Sequence, residues 1–539
     1  MAKPKTPNQK RKYGELNKRL AKYVMLVESI YEDLNLEAAK IVGITDFTID
    51  SDRTFMWSDY PQTRKRIRDL QERFVEDIGS VIYSGTSEEW KNSNEVQDLL
   101  ANKVLQTYGA TIGKEKYEIL YQPNNDALKA FQQRKDKGFT ISDKLWNQST
   151  LYKQELEEAI SCAIQKGTSA ITLSKQISKY LLDFPQLQKD YKERFGKASR
   201  AMDCEYRSIR LAASEINMAY RQAENLRWQQ MDFVVGYEIK LSNNHTCNGK
   251  PFQDICDILA GKYPKDFQWT GWHPLCRCYK IPILKTEEEF WEWDGRNEAT
   301  TASVNEVKDV PDAFKKWVLD NQERISTAKK RNTLPYFLRD NKSVYQKITV
   351  ESSISEIVKR ASSVGDEVQS IAERIAIKNG GYVTPINFKS TTSITRKVIT
   401  EGITPYDIKD AVRTTIIVPK SRIEDVLEEL YKTEGFLRLK RQKPESFMGY
   451  SGNIVNIRTT NGLTAEIQVN TERMIFAKER PEDAKRILGK KRWEEIHNET
   501  GMEGGLGHKY YEQWRILDKS SNEALKIVEK SIEYYSHFR

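Results

Sequence analysis

The sequence predicts a multidomain α+β protein, largely α-helical in its N-terminal and central region, with a small Cys/His-rich loop-strand segment and a separate C-terminal α/β domain. Three observations support this. The 539 residues exceed what one hydrophobic core organises. Apolar residues recur every three or four positions to about residue 230, as helices with one buried face require. From about residue 350, helix-like stretches alternate with strand-like ones.

These patterns divide the chain into four parts. They are a helical N-terminal region with a basic arm (1–149), a central region that contains the Cys/His segment (150–285), a helical connector (286–345) and the C-terminal domain (346–539). The stretch Ala201–Gln230 contains neither Gly nor Pro and predicts a long helix. After it, Phe233–Ser242 alternates in hydropathy like a strand.

The composition describes a charge-rich, helix-rich protein. Charged residues make up 30%, hydrophobic residues 38%, and the mean hydropathy is −0.69. We find neither a signal peptide nor an apolar run long enough to cross a membrane, so we expect no membrane partner and a location inside a cell or a particle assembled there. The net charge of +9 favours solubility by default and leaves attraction to DNA, RNA or nucleotide phosphate open.

Cysteine and histidine cluster between residues 245 and 278. Thiolate and imidazole are the ligands that zinc prefers, so zinc is a candidate cofactor of this segment. Buried Cys can instead serve as a small apolar residue, and both interpretations stay open. The candidate ligands are Cys247, Cys256, His273, Cys276 and Cys278, with His245 as a spare.

The same segment carries a family resemblance. DICDILAGKYP followed by WHPLCRCY, after a long helix and a strand, resembles the Mu F-like and SPP1 gp7-like head-morphogenesis proteins of tailed bacteriophages over roughly residues 150–285. The resemblance implies a minor head protein, acting in head assembly or DNA delivery. Its partners would be the portal or major capsid protein, with DNA in the capsid as a further contact. It would lie in the capsid interior or portal region of the virion, and in the host cytoplasm during assembly.

The C-terminal domain contains the residue types that phosphoryl transfer needs: cations for phosphate, a carboxylate for Mg²⁺ and a second carboxylate for the attacking hydroxyl. Lys389, Ser393, Arg396 and Lys397 form a basic cluster. Of these, Lys389, Ser393 and Lys397 recur every four residues, which places them near one helical face. Asp410 precedes a predicted strand, a frequent position for a metal-binding carboxylate. Each feature alone is typical of solvated surface or of a turn.

A predicted hairpin supplies the second carboxylate. Its strands, Ile454–Arg458 and Leu463–Val469, flank Asn461-Gly462. Alternation places Glu466 and Gln468 on one face and apolar residues on the other. If the apolar face packs on the core, Glu466 and Gln468 point to a cleft or to solvent.

The order K-x3-S-x3-K, an Asp thirteen residues later, a Gly-Tyr loop and EIQVNT resembles the RelA/SpoT nucleotide pyrophosphokinases over about residues 350–520. The resemblance implies an α/β fold with a mixed sheet, ATP as donor and Mg²⁺ as cofactor. The implied roles are ATP-phosphate contacts from Lys389, Ser393 and Lys397, Mg²⁺ binding by Asp410, base stacking by Tyr450, activation of the acceptor hydroxyl by Glu466, support of that carboxylate by Gln468, and nucleotide contacts from Arg396, Arg413 and His508.

Several residues depart from the family pattern. Asn387 replaces an arginine, Arg413 replaces a small residue, and GYSG lacks the Ser and His that usually follow. The acceptor therefore stays open between a guanine nucleotide and tRNA, and the ending HKYYE is closer to a divergent, toxin-like branch. A basic run before Tyr450 suits either acceptor or an exposed loop: Arg438, Lys440, Arg441 and Lys443.

The resulting hypothesis is a phage minor head protein whose C-terminal domain resembles a Mg²⁺-dependent ATP pyrophosphokinase. Two alternatives remain. One is a purely structural capsid- or portal-associated protein with a catalytically inactive C-terminal docking domain. The other is a virion-carried toxin that acts on the host.

Overall fold

The chain forms two compact units in the computed structural model, Met1–Tyr345 and Gln346–Arg539. The structure describes residues 6–44, 53–109, 112–163, 170–242, 246–247, 250–251, 253–292, 303–443 and 447–539. The finer division at residues 149 and 285 stays a prediction. None of the helices in these ranges is long and apolar enough to cross a membrane.

The first unit is mostly helical. Its helices are α1 (Gln9–Ile44), α2 (Arg64–Thr107), α3 (Lys114–Leu120), α4 (Asn125–Gln133), α5 (Ile141–Ala163), α6 (Ala170–Leu182), α7 (Phe184–Phe195), α8 (Cys204–Gln230), α9 (Ile255–Leu259), α10 (Glu287–Glu292), α11 (Asp312–Asp320), α12 (Gln322–Lys330) and α13 (Tyr336–Arg339). α14 (Lys342–Ser363) contains the boundary between the units.

The helical core forms because α1, α2, α5 and α8 each bury one apolar face. Phe74 and Ile78 of α2 and Leu156 of α5 are almost completely buried in it. α2 and α8 approach closely at Gly85, where an added Cβ would lie 2.5 Å from the side chain of Ile216. The predicted long helix begins at Cys204, three residues later than expected, because Asp203 caps it by accepting a hydrogen bond from the backbone N–H of Tyr206.

A small antiparallel sheet follows α8. Its central strand β1 (Val234–Lys240) lies within the predicted strand and pairs with β4 (Gly261–Tyr263) and β5 (Tyr279–Leu284), while β2 (Thr246–Cys247) and β3 (Lys250–Pro251) form a separate pair. Aromatic rings fill the space beside this sheet. Trp272 lies 5.6 Å from Tyr263 and 5.2 Å from Phe337, measured between ring centroids.

Charged side chains also enter this core. Glu224 of α8 and Lys280 of β5 form a completely buried ion pair at 3.3 Å. Tyr13 donates a hydrogen bond to Glu224 at 2.5 Å, and Lys280 donates one to Asn225. Burial raises the pKa of Glu224, and burial lowers the pKa of Lys280 to about 8 against the opposing pull of the Glu224 charge.

The second unit surrounds a six-stranded mixed sheet. Its strands are β6 (Tyr382–Val383), β7 (Asn387–Phe388), β8 (Val412–Ile417), β9 (Phe436–Gln442), β10 (Gly452–Arg458) and β11 (Thr464–Asn470), in the order β6-β8-β11-β10-β9 with β7 also on β8. Among the strands that the structure describes in this sheet, only the β8–β11 pair is parallel. The helices are α15 (Gly365–Lys378), α16 (Thr391–Glu401), α17 (Ile423–Tyr431), α18 (Glu472–Lys478), α19 (Pro481–Leu488), α20 (Lys490–Thr500), α21 (Leu506–Arg515) and α22 (Asn522–Ser536).

The two faces of this sheet differ as the hairpin pattern predicted. Ala465, Ile467 and Val469 are buried in the core beneath α14, α15 and α17. Glu466 is partly exposed on the other face. One placement was wrong: Lys389 lies ahead of α16, not on it, because Ser390 caps the helix by accepting from the backbone N–H of Ser393.

Candidate functional site

A row of polar side chains crosses the sheet of the second unit. Asn387, Arg413, Glu466, Asn456 and Arg438 are successive register partners on β7, β8, β11, β10 and β9. Directly opposed residues share a face, so these side chains lie side by side. Within the row, Arg438 donates a hydrogen bond to Asn456 at 2.7 Å. The register therefore brings Glu466 beside Arg413.

A cationic cavity of about 550 Å³ lies at one end of this face. The three residues predicted to contact ATP phosphates, Lys389, Ser393 and Lys397, line it. So do Asp410 and the predicted nucleotide contacts Arg396 and Arg413. Sequence reasoning missed three lining residues from α21: Tyr511, Glu512 and Arg515. These residues follow His508 at spacings of three, four and seven, which is one helical face, so the signal was present in the sequence.

Asp410 is the anionic centre of this cavity. Its carboxylate accepts hydrogen bonds from Lys389 and, at 3.1 Å, from Lys397, and its side chain is only 15% exposed. Burial opposes ionisation of Asp410, but the hydrogen bond from Lys389 and the charges of both lysines lower its pKa below the ordinary value. A partly buried, ionised carboxylate beside cations fits a site for Mg²⁺ bound to polyphosphate, since Mg²⁺ commonly uses one or two carboxylates plus substrate phosphates.

We expect the Asp410→Asn substitution to destabilise the chain at pH 7 and to have little effect at acid pH. The folded-state pKa of Asp410 is lowered, so its stabilising contribution is present above the unfolded value, about 3.9, and is lost as the pH falls through the folded value. Urea unfolding of wild type and variant from pH 7 to 3 measures the difference. A difference that stays constant over this range would contradict the assignment.

A second cavity, of about 460 Å³, adjoins the first on the same sheet face. Arg413 and Asn387 line both cavities. The second cavity adds Gln468, Lys478 and His508 from the predicted set and, beyond it, Arg480, Asp483 and Arg486 of the segment around α19. The Nε2 atom of His508 is buried and has no hydrogen-bond partner among the described residues. An unsatisfied polar atom in a largely cationic cavity is suited to an anionic ligand.

Hydrogen bonds connect the predicted base to the wall of the second cavity. Gln468 donates to Glu466 at 2.7 Å, and Lys478 donates to the amide oxygen of Gln468 at 2.8 Å. The Lys478 ammonium also lies 5.6 Å from the ring centroid of Tyr450, whose hydroxyl hydrogen-bonds Asn470. Gln468 is therefore held in one orientation, with its amide group turned toward Glu466.

The basic run before Tyr450 divides between strand and loop. Arg438, Lys440 and Arg441 lie on β9, and their side chains are exposed. Arg441 pairs with Glu424 through two hydrogen bonds, at 2.5 and 2.7 Å. Lys443 follows the end of β9.

The cysteine cluster of the first unit forms a separate site. The Sγ atoms of Cys256, Cys276 and Cys278 lie within 4.8 Å of one another, and a second triad of Asp254, Cys256 and His273 meets the same limit. All three cysteines are almost completely buried. This cluster is compatible with a metal site. The side chain of Cys247 and the whole of His245 lie outside the residues that the structure describes, and sequence reasoning missed Asp254.

Comparison with known proteins bears on part of the chain. A comparison with protein-family profiles gives no match. The chain is 36% identical over 181 residues to the (p)ppApp synthetase toxin Tas1 of Pseudomonas aeruginosa (strain UCBPP-PA14). The aligned region covers 33% of this chain and 41% of that protein. About a third of the chain is homologous to Tas1. The chain thus spans less than half of the length of this relative.

A solved structure is also similar. The crystal structure of the complex between the Type VI effector Tas1 and its immunity protein matches at 35% identity and a TM-score of 0.33, over 35% of this chain and 97% of that one. The homology supports the predicted pyrophosphokinase-like domain. The resemblance to head-morphogenesis proteins has no counterpart in these comparisons and stays a prediction.

Proposed function

We propose that the second unit is a Mg²⁺-dependent ATP pyrophosphokinase that acts as a toxin, and that the region homologous to Tas1 lies in this unit. The observation that carries the proposal is the position of Arg413. It lines both cationic cavities and is the register partner of Glu466. A donor phosphate in one cavity and an acceptor in the other would meet beside Glu466, the one carboxylate in the row of polar side chains that crosses the sheet.

In this proposal the cavity around Asp410 takes the triphosphate of ATP. Lys389, Lys397 and Arg396 supply positive charge, and Ser393 supplies a hydroxyl donor. Asp410 would hold Mg²⁺, which offsets phosphate charge when bound. The two lysines that now bind Asp410 would then turn from the carboxylate to phosphate oxygens, where charge develops during transfer.

The second cavity takes the acceptor nucleotide. Arg480 and His508, which line this cavity, would contact its phosphates. Tyr450 is not among the lining residues, but its ring lies 5.6 Å from the ammonium of Lys478, which is, and it would stack on the base. Glu466 accepts the proton of a ribose hydroxyl, the hydroxyl oxygen bonds to the β-phosphorus of ATP, and the bond from that phosphorus to the α-phosphate oxygen breaks, releasing AMP. Gln468, oriented by Lys478, holds the Glu466 carboxylate in place. Arg413 lies between the two cavities and would face the pyrophosphate group during its transfer.

The proposed acceptor is an adenosine nucleotide. The name of the relative gives (p)ppApp as its product, and we carry that acceptor class to this chain in preference to the guanine nucleotide or tRNA that we expected from sequence. The departures from the alarmone-synthetase pattern at Asn387 and Arg413 are consistent with a different acceptor, since both line the proposed acceptor cavity.

We expect the full-length chain to move label from γ-labelled ATP with Mg²⁺ to adenosine nucleotides, with ATP itself serving as both donor and acceptor. GDP, GTP and tRNA, offered separately, should remain unlabelled. Thin-layer separation of the products measures the transfer. The Asp410→Asn variant should lose activity because the carboxylate that would hold Mg²⁺ is gone.

The exposed Asp425 provides the matched control, since Asp425→Asn lies on α17 and outside both cavities. Label on GDP or tRNA alone would exclude an adenosine nucleotide as acceptor but would still support pyrophosphokinase activity. The absence of label on every acceptor, from a folded chain with Mg²⁺, would favour the structural docking domain.

For the first unit we propose a minor-head role in a phage particle, with the portal or major capsid protein as partner. The observation in its favour is that the parts of the resemblance pack together: Asn217 and Arg221 of the long helix α8 bind the backbone carbonyl of Cys276 in the HPLCRC segment at 2.8 and 2.7 Å. Quantitative proteomics of purified particles from cells that produce the chain tests this proposal. Exclusion of the chain from particles would contradict it.

A further inference from the structure

We propose that Cys256, His273, Cys276 and Cys278 of the first unit bind one structural zinc ion, whose thiolate charge is balanced by the buried Arg221. This inference is independent of the function proposed for the second unit. Its basis is the geometry of the ligand atoms, the orientation of the histidine and the charge surrounding the cluster.

The sulfur geometry fits tetrahedral zinc. The Sγ atoms of Cys256 and Cys276 are 3.8 Å apart, and Cys278 completes a triad within 4.8 Å. Zinc–sulfur bonds of about 2.3 Å in a tetrahedron require ligand–ligand distances of about 3.8 Å. The three cysteines are free thiols, so no disulfide accounts for their convergence.

The fourth ligand is His273. Its Nε2 atom lies 3.1 Å from the Cys256 sulfur, while its Nδ1 atom contacts the carbonyl oxygen of Pro274 at 2.7 Å. That carbonyl can only accept, so Nδ1 carries the proton and Nε2 presents its lone pair to the cluster. Asp254 also approaches Nε2, at 3.3 Å, but it caps α9 by accepting from the backbone N–H of Cys256. We therefore assign Asp254 to the support of the site.

Arg221 supplies the counter-charge. Its guanidinium is buried and donates hydrogen bonds to the carbonyl oxygens of Thr270, Cys276 and Cys278 at 3.0, 2.7 and 2.8 Å. The buried carboxylate of Glu224 interacts electrostatically with Arg221, but it forms its ion pair with Lys280, and Arg221 has no salt bridge of its own among the described residues. A buried charge without full compensation is costly. Zinc with three thiolates and a neutral imidazole carries one negative charge, which would neutralise Arg221 beside it.

The metal would link α9, which carries Cys256, to the turn-rich segment that follows it, where Asn217 and Arg221 of α8 bind the carbonyls of Cys276 and Cys278. Four protein ligands leave no open coordination position, so we assign a structural and not a catalytic role. On binding, the three thiols release their protons to solvent. Removal of the ion should therefore lower the stability of the first unit.

The test is the metal content of the full-length chain after purification without chelators. We expect about one zinc ion per chain by mass spectrometry, and a fall in Tm when the ion is removed with a chelator. The chain refilled with Co²⁺ should show the intense visible bands of tetrahedral cobalt and thiolate-to-cobalt charge transfer. Cys276→Ala should lose the metal, and the matched Cys162→Ala, at a buried cysteine outside the cluster, should keep it.

Two further variants test whether His273 or Asp254 is the fourth ligand. His273→Ala should change the cobalt spectrum, whereas Asp254→Ala should retain it. A folded wild-type chain with neither zinc nor a cobalt–thiolate band would overturn the proposal, whatever the variants do. Full zinc retention in Cys276→Ala would overturn the assigned ligand set.

Discussion

Glu466→Gln should lower kcat for pyrophosphate transfer by about 10²- to 10⁴-fold, the usual contribution of a positioned general base. The amide has the shape of the carboxylate and still accepts the hydrogen bond from Gln468, but it cannot take the proton of the acceptor hydroxyl. Because Glu466 lies on the partly exposed face of β11, the core beneath the sheet should be undisturbed.

The measurement compares kcat and KM for ATP in wild type, Glu466→Gln and the matched Glu529→Gln, whose side chain is exposed on α22. We expect kcat to fall only in the first variant and Tm to stay unchanged in both. A variant that transfers at the wild-type rate would remove Glu466 from the reaction. A fall in Tm that parallels the loss of activity would assign the residue a structural role instead.

The second large effect concerns stability. We expect Lys280→Met to cost about 3–5 kcal/mol of unfolding free energy, because it removes the ion-pair partner of the buried Glu224 carboxylate. Met fills a similar volume, so lost packing contributes little. The double variant Glu224→Gln/Lys280→Met should recover most of the loss, since Gln still accepts the hydrogen bond from Tyr13 and carries no charge.

Urea unfolding of the full chain, followed by tryptophan fluorescence, measures both variants. Trp228 lies 4.5 Å from the Lys280 ammonium and reports on this region. Lys40→Met provides the control, since Lys40 forms an exposed pair with Glu37 at 2.8 Å. A double variant no more stable than Lys280→Met would show that the cost comes from the lost lysine itself and not from the stranded charge.

The elements that sequence predicted well are those whose pattern is local. Alternation placed Glu466 and Ile467 on opposite faces of β11, and the structure has them there. The long helix α8 followed from its uninterrupted helix formers. Its start could not be predicted to the residue, because Met202 and Asp203 adopt no helical turn and the cap depends on one side-chain hydrogen bond.

Partners distant in sequence could not be predicted. The buried face of α8 carries Arg221, Glu224 and Arg227, and helical spacing alone would assign such residues to solvent. Their partners come from other elements, such as Lys280 on β5. In the second unit, Lys389 and Lys397 were both assigned to ATP phosphates, and nothing in their spacing indicated that Asp410 would bind both.

The register of the β10–β11 hairpin limits how this domain can diversify. Asn453 through Arg458 pair continuously with Val469 back to Thr464, and the turn at Asn461 is fixed to α14 by hydrogen bonds with Arg360. An insertion or deletion of one residue in β11 would exchange its faces and place Glu466 in the core. Point substitutions on the polar row should therefore leave the sheet intact, whereas a change of one residue in the length of β11 should not.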